Sequence, residues 1–271
     1  MLRVHFTAQD LARTRVADGA DPLWETVLSL HSLRENRTDP ALAAWRQHAV
    51  RYGTEPLRTL FALVPPYGYF PDFLTPSASQ YGVESGLEAV MSTPRQRLRT
   101  ELTRLSGHRA LPGWARGIGE GEPAALRQLA RSLRTYHHLA VAPAWPRIAR
   151  RVGADRELRK HAQGKSGVEA MLRTFGAPMR WRPPVLEVDY PVERELHLQG
   201  RGLVFVPSYF CCDHPLALVD EALPPVLVYA ARETADAHAE GPRLREFGGG
   251  ALRDVPGLLG GRAGNRTAAR R

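Results

Sequence analysis

The chain has few cysteines, few lysines and no long apolar run. Its 271 residues include 2 cysteines, the adjacent Cys211 and Cys212. Neighbouring cysteines rarely bond to each other, since the ring would strain the peptide. A disulfide scaffold is therefore excluded, and a reducing compartment is favoured.

Apolar runs such as residues 60–66 fall far short of the roughly 20 residues that span a bilayer. The N-terminal stretch is also too polar for a signal peptide. We expect a cytoplasmic protein without a membrane partner.

Lysine is nearly absent, and the positive charge comes from arginine. The formal net charge is +9. The excess lies in residues 92–165, which hold 16 basic and 5 acidic side chains. Such a block is typical of contact with a polyanion, nucleic acid first, although a solvated helix face is the simpler alternative. The candidate DNA-backbone contacts are Arg95, Arg97, Arg99, Arg147, Arg150 and Arg151.

The order of apolar periods predicts an α+β fold. Helical spacing recurs to about residue 176, with helices expected at 8–16, 22–33, 40–49, 56–64, 85–91, 94–105, 123–136, 146–152 and 168–175. Residues 107–121 are glycine-rich and predict a loop. Thr7 and Asp10 form a weak capping box before the first helix. We expect residues 1–176 to form a helical regulatory domain.

Strand patterns follow the helices. Residues 177–230 alternate apolar and polar positions, which predicts a small antiparallel β region packed on the helical domain. A strand is also expected at residues 2–6. Residues 194–198 and 203–206 flank the turn at 199–202 and predict a β-hairpin.

The last segment differs in composition. Alanine, glycine and arginine supply 24 of the 41 residues in 231–271. The segment has few large apolar residues, and the surface they could bury would not offset the loss of chain entropy on folding. We therefore expect this tail to be poorly ordered.

Residues 65–76 hold four prolines and four aromatic residues without a regular period. They predict an ordered loop. Aromatic rings with a few polar groups are typical of small-molecule sites, which makes Tyr67, Tyr69, Phe70 and Phe73 the candidate ligand-binding residues. The alternative is a loop that is buried to complete the core.

Other groupings of reactive residues lack the spacing that chemistry requires. The stretch from Cys211 to His214 holds four metal-ligand types in a row, but adjacent residues rarely close around one ion. His137 and His138 lie at the end of a predicted helix, where histidines favour the negative end of the helix dipole. Glu187 and Asp189 share one face of a predicted strand but have no accompanying nucleophile. Ser208 is not in a nucleophile elbow, and the glycines at 117–121 do not match a phosphate loop. We expect no catalytic residues, no metal and no cofactor, and a protein that is not an enzyme.

Seven stretches together resemble a known family. They are residues 6–15 (FTAQDLARTR), 21–25 (DPLWE), 68–76 (GYFPDFLTP), 141–148 (VAPAWPRI), 181–187 (WRPPVLE), 202–210 (GLVFVPSYF) and 223–229 (LPPVLVY). The set resembles an N-terminal domain of ArsR-like winged helix-turn-helix transcription regulators. The resemblance covers about residues 1–230.

The resemblance implies a function and partners. It implies a helical domain, a small sheet and a C-terminal winged helix that binds DNA, usually as a homodimer. A winged helix needs roughly 70 residues, and only 41 follow Ala230, so we expect residues 231–271 to be disordered or a truncated or frameshifted remnant. The leading hypothesis is a transcription regulator represented mainly by its sensing and dimerisation domain, with a small-molecule effector. The alternative is a stand-alone protein- or small-molecule-binding module without direct DNA binding.

Overall fold

The computed structural model describes residues 1–34, 40–51, 54–66, 68–211, 214–220 and 222–232. Helices take up more than half of it, and the strands form two small mixed sheets, which confirms the expected α+β class. The tail predicted to be poorly ordered comprises residues 231–271, and from residue 233 onward it lies outside the described residues.

The helices and strands alternate more than the sequence predicted. The helices of the described residues are α1 (Ala8–Arg13), α2 (Pro22–Arg34), α3 (Pro40–Arg51), α4 (Thr54–Leu63), α5 (Val83–Met91), α6 (Arg95–Ser106), α7 (Ala115–Gly119), α8 (Pro123–Tyr136) and α9 (Trp145–Arg173). The strands are β1 (Leu2–His5), β2 (Arg15–Val16), β3 (Met179–Arg182), β4 (Val185–Val188), β5 (Arg194–His197), β6 (Val204–Ser208), β7 (Leu216–Ala217) and β8 (Val226–Ala230).

The first sheet has the strand order β3-β4-β1-β5. Strands β3 and β4 are antiparallel, β4 and β1 are antiparallel, and β1 and β5 are parallel. One face is buried and includes Leu2, Val4 and Leu186, while Arg3 and His5 point to the other side. The expected antiparallel sheet is thus a mixed sheet, because the N-terminal strand enters it beside β5.

The second sheet has the order β2-β6-β8-β7 and lies between two apolar cores. Val206 and Val228 face the helical core, whereas Phe205 and Tyr229 face the core shared with the first sheet. Both faces are buried, which explains why β6 and β8 are almost continuously apolar. The predicted hairpin of 194–198 with 203–206 is therefore wrong, since β5 and β6 belong to different sheets.

Local signals set the helix ends. Thr7 and Asp10 form a complete capping box at α1, as predicted. Contrary to prediction, the helix stops at Arg13, and β2 follows it because Arg15 and Val16 pair with β6. Helix α8 begins with Pro123 at its first turn and buries its apolar face on the helical core.

Two further helix predictions need correction. Residues 107–121 are not all loop, since α7 forms there and buries Ile118. The helix predicted at 146–152 extends much further, to a kink at Ser166 and Gly167, where Gly167 has a φ of 80°. The last helix then begins at residue 168, as predicted, and forms the final part of α9.

The predicted boundary at residue 176 does not divide the described residues into two separate structural units. All described residues fall within one compact unit, and β1 and β2 connect the N-terminus to strands that follow residue 177. Among the described residues, none of the helices combines the length and apolarity needed to cross a membrane.

Candidate functional site

A cavity of about 740 Å³ lies beside the aromatic loop. Segments from distant parts of the chain form its wall. The lining residues are Trp24, Pro65, Pro66, Gly68, Tyr69, Phe70, Asp72, His108, Arg109, Tyr190, Pro191, Val192, Leu216, Ala217 and Val219. Most of these side chains are apolar, and the polar ones are few, which is the usual composition of a small-molecule pocket.

The rings of Trp24 and Phe70 form the buried part of the wall. Their centroids lie 6.1 Å apart in an edge-to-face arrangement, and His31 meets Phe70 in the same way at 5.7 Å. Asp21 orients Trp24, because its carboxylate accepts the backbone N–H groups of Leu23 and Trp24 at the start of α2. These contacts fix the wall before any ligand binds.

Two buried carboxylates hold the aromatic loop in place. Asp72 Oδ2 accepts the backbone N–H groups of Val219 (2.9 Å) and Asp220 (2.8 Å). Glu101 Oε2 accepts the N–H of Phe73 at 2.8 Å, and its other oxygen pairs with Arg97. Burial raises the pKa of both carboxyls. The loop is thereby tied to two segments distant from it in sequence.

Three polar groups near the cavity have hydrogen-bonding capacity to spare. The Tyr69 hydroxyl is buried without a hydrogen-bond partner among the described residues. Burial raises the pKa of Tyr69, with the nearby carboxylates of Glu101 and Asp72 adding to the effect, so the hydroxyl keeps its proton. His31 Nε2 is also buried without a partner, and burial lowers the pKa of His31 to about 4. Arg109 makes one hydrogen bond with the described residues, to the carbonyl of Phe61.

The structure separates the four predicted ligand-binding residues. Tyr69 and Phe70 line the cavity. Phe73 does not line it and is fully buried in the helical core, because the short 3₁₀ helix Asp72–Leu74 turns its ring inward. Tyr67 lies outside the described residues.

The predicted DNA-backbone arginines are largely engaged within the molecule. On α6, Arg95 and Arg99 pair with Glu120, and Arg97 pairs with the buried Glu101. Arg151 of α9 donates to the carbonyl of Ala231. Arg147 and Arg150 are exposed on α9. The structure thus places the six side chains on two helices and gives half of them carboxylate partners.

The other candidate groupings have structural contacts. His137 Nδ1 lies 3.0 Å from the hydroxyl of Thr26, and burial lowers the pKa of His137 to about 4. Ser208 donates to the buried Glu25 at 3.0 Å. Cys211 is buried, and Cys212 and Asp213 lie outside the described residues. No group of three or more His, Cys, Asp or Glu side chains in the described part of the chain could hold a metal ion.

The sequence did not indicate most of the wall. Trp24 lies within the helix predicted at 22–33 and Arg109 within the loop predicted at 107–121, and neither prediction points to a ligand. Residues 190–192 and 216–219 carry no local pattern that points to a ligand. The sequence indicated this region only through the aromatic loop, whose residues follow no helix or strand period. The rest of the wall forms through contacts between segments that are distant in sequence.

Comparison with protein-family models, with curated proteins and with solved structures finds no match to this chain.

Proposed function

We propose that this chain is the ligand-binding regulatory domain of an ArsR-like transcription regulator. The cavity of about 740 Å³ carries the ligand-binding part of this proposal. Its volume lies within the ~300–1,000 Å³ typical of small-molecule sites, and its wall combines aromatic rings with a few polar groups. The regulatory part rests on the resemblance of residues 1–230 to the N-terminal domain of those regulators.

The buried carboxylates support binding rather than catalysis. Glu25 accepts three hydrogen bonds, from the Ser208 hydroxyl and the backbone N–H groups of Tyr209 and Phe210. Asp72 and Glu101 hold the aromatic loop in the same manner. An acid–base catalyst must reach its substrate. Glu25 and Glu101 do not line this cavity, and Asp72, which does, uses its Oδ2 to accept two backbone N–H groups.

Promoter binding and assembly as a homodimer belong to the same proposal, since both come with the resemblance. Arg95 and Arg99 share Glu120, and Arg97 pairs with Glu101, so two glutamates offset two of these three charges and weaken the phosphate-binding surface expected of α6. The described residues therefore favour ligand binding over direct DNA contact as their own role. Effects of the ligand on DNA would require a DNA-reading partner or segment.

Calorimetric titration with three naphthalene compounds tests the ligand-binding part. The probes are 2-naphthoate, 2-naphthamide and (naphthalen-2-yl)methylammonium, which share one ring system and differ in charge. We expect at least one to bind one-to-one and to raise the free energy of unfolding by about 2.7 kcal/mol at 100 times its Kd.

A matched pair of variants locates the binding. Val192 lines the cavity and is 59% exposed, so Val192→Trp places a large ring at the mouth with little effect on the core. Val50 is 66% exposed and does not line this cavity. We expect Val192→Trp to abolish binding and Val50→Trp to leave it unchanged. Absence of binding for all three probes, or binding that ignores Val192→Trp, would contradict the proposal.

A further inference from the structure

The guanidinium of Arg109, which lines the cavity, shares one acceptor with that of Arg34, and neither has a carboxylate partner among the described residues. Arg109 Nη1 donates to the carbonyl of Phe61 at 3.1 Å, and Arg34 Nη2 donates to the same carbonyl at 3.3 Å. Arg34 also donates to the carbonyl of Val64. Because the two cations meet at one carbonyl, they repel each other, and this repulsion adds to burial in lowering the pKa of Arg34. An anion in the cavity would relieve that repulsion.

Tyr69 contributes its ring rather than its hydroxyl to the cavity. The residue lines the cavity, but its hydroxyl oxygen is buried within the protein and is out of reach of a ligand. The charged donor that lines the cavity is Arg109. A guanidinium can hold two oxygens of one acceptor at once, so Arg109 favours an acceptor with more than one oxygen.

The rest of the wall suits a flat ring. Trp24, Tyr69, Phe70 and Tyr190 supply aromatic faces and edges, and Pro65, Pro66 and Pro191 supply rigid apolar rings. Aromatic ligands gain from offset and edge-to-face contacts with such walls.

We infer that the ligand is a small aromatic carboxylate, bound with its carboxylate at Arg109 and its ring against the aromatic and proline wall. This inference rests on the proposed function, because it assumes that the cavity binds a ligand. Asp72 also lines the cavity, and an aromatic wall with a carboxylate is typical of sites for organic cations. However, Asp72 Oδ2 already accepts two backbone hydrogen bonds, whereas Arg109 has donors to spare.

The same three probes test the charge preference in the full chain. We expect 2-naphthoate to bind about tenfold more tightly than 2-naphthamide, because hydrogen bonds between ions are stronger than neutral ones, and the ammonium compound to bind most weakly. Arg109→Gln keeps a donor for the Phe61 carbonyl but removes the charge. It should weaken 2-naphthoate about tenfold and leave 2-naphthamide unchanged, while Arg109→Lys should retain the preference. The control is Arg127→Gln, at an exposed arginine on α8.

The outcomes separate the inference from the proposed function. The inference is overturned if the amide or the ammonium compound binds as tightly as the carboxylate, or if the preference survives in Arg109→Gln. The proposed function still stands in those cases, since a ligand is bound. If none of the probes binds, both fail. Circular dichroism of each variant shows whether a lost affinity reflects lost structure.

Discussion

At the scale of single residues, buried carboxylates connect segments that are far apart in sequence. Asp10 accepts the backbone N–H of Gly202 as well as both donors of Thr7. Asp155 accepts the N–H of Arg232 at 3.2 Å and forms a buried ion pair with Arg159. Each carboxylate satisfies backbone groups that would otherwise be buried without partners, so removing one leaves those donors unpaired.

Glu25 makes the stability of the protein depend on pH. Burial raises the pKa of this fully buried carboxyl from 4.5 to about 7. The folded state then holds a proton that the unfolded state releases, so the stabilising contribution is complete below pH 4.5 and declines as pH rises through 7. Relative to Glu25→Gln, we expect the native chain to lose about 3 kcal/mol of stability between pH 4.5 and 8.

Urea unfolding of both proteins across this range measures the effect. The histidines His31 and His137, whose pKa values burial lowers to about 4, contribute with the opposite sign, since their stabilisation declines as pH falls below 6.5. They are present in both proteins and cancel in the difference. A difference that stays flat with pH would contradict the expected titration of Glu25.

At the scale of elements, the turn between β5 and β6 requires glycine. Gly202 has a φ of 74°, and a Cβ there would lie 2.7 Å from the backbone carbonyl of Arg13. Gly202→Ala should therefore lower the free energy of unfolding by at least about 2 kcal/mol. The control is Gly153→Ala in α9, where nothing lies within 4 Å of the added Cβ. Gly153→Ala should raise the free energy of unfolding by about 0.5–1 kcal/mol. Chemical unfolding of both variants measures the two changes, and a change of the same sign in both would contradict the prediction.

The same turn shows which parts of the fold could be predicted from the sequence. Helix α8 and the capping box of α1 depend on spacings within one or two turns, and the sequence indicated both. The turn at 199–202 has the composition of a hairpin, but the N–H of Gly202 binds Asp10 and β6 pairs with β2 and β8. Pairings between distant segments determine which strands flank this turn, and local sequence patterns do not indicate such pairings.

The candidate site was predicted only in part for the same reason. The lack of a period marked Tyr69 and Phe70 as residues that need not belong to the core. It could not distinguish them from Phe73, because a short 3₁₀ helix decides which rings turn inward. Arg109 enters the wall through contacts with α4, more than 40 residues earlier in the chain.

At the scale of the whole molecule, helices and strands form interdependent layers. The second sheet contacts the helical core with one face and the first sheet's core with the other. The N-terminal strands β1 and β2 pair with strands that lie beyond residue 184. The helical region therefore depends on the β region for the burial of its apolar face.

This interdependence predicts that a fragment of residues 1–176 does not fold as a domain. It would leave β1 and β2 without partners, expose the apolar residues that face Val206 and Val228, and deprive the buried Glu25 of its three donors. A chain of residues 1–232 keeps all these contacts. We expect 1–232 to unfold in one cooperative urea transition, followed by circular dichroism, and 1–176 to show none. Cooperative unfolding of 1–176 would instead establish the helical region as an independent domain and place a boundary near residue 176.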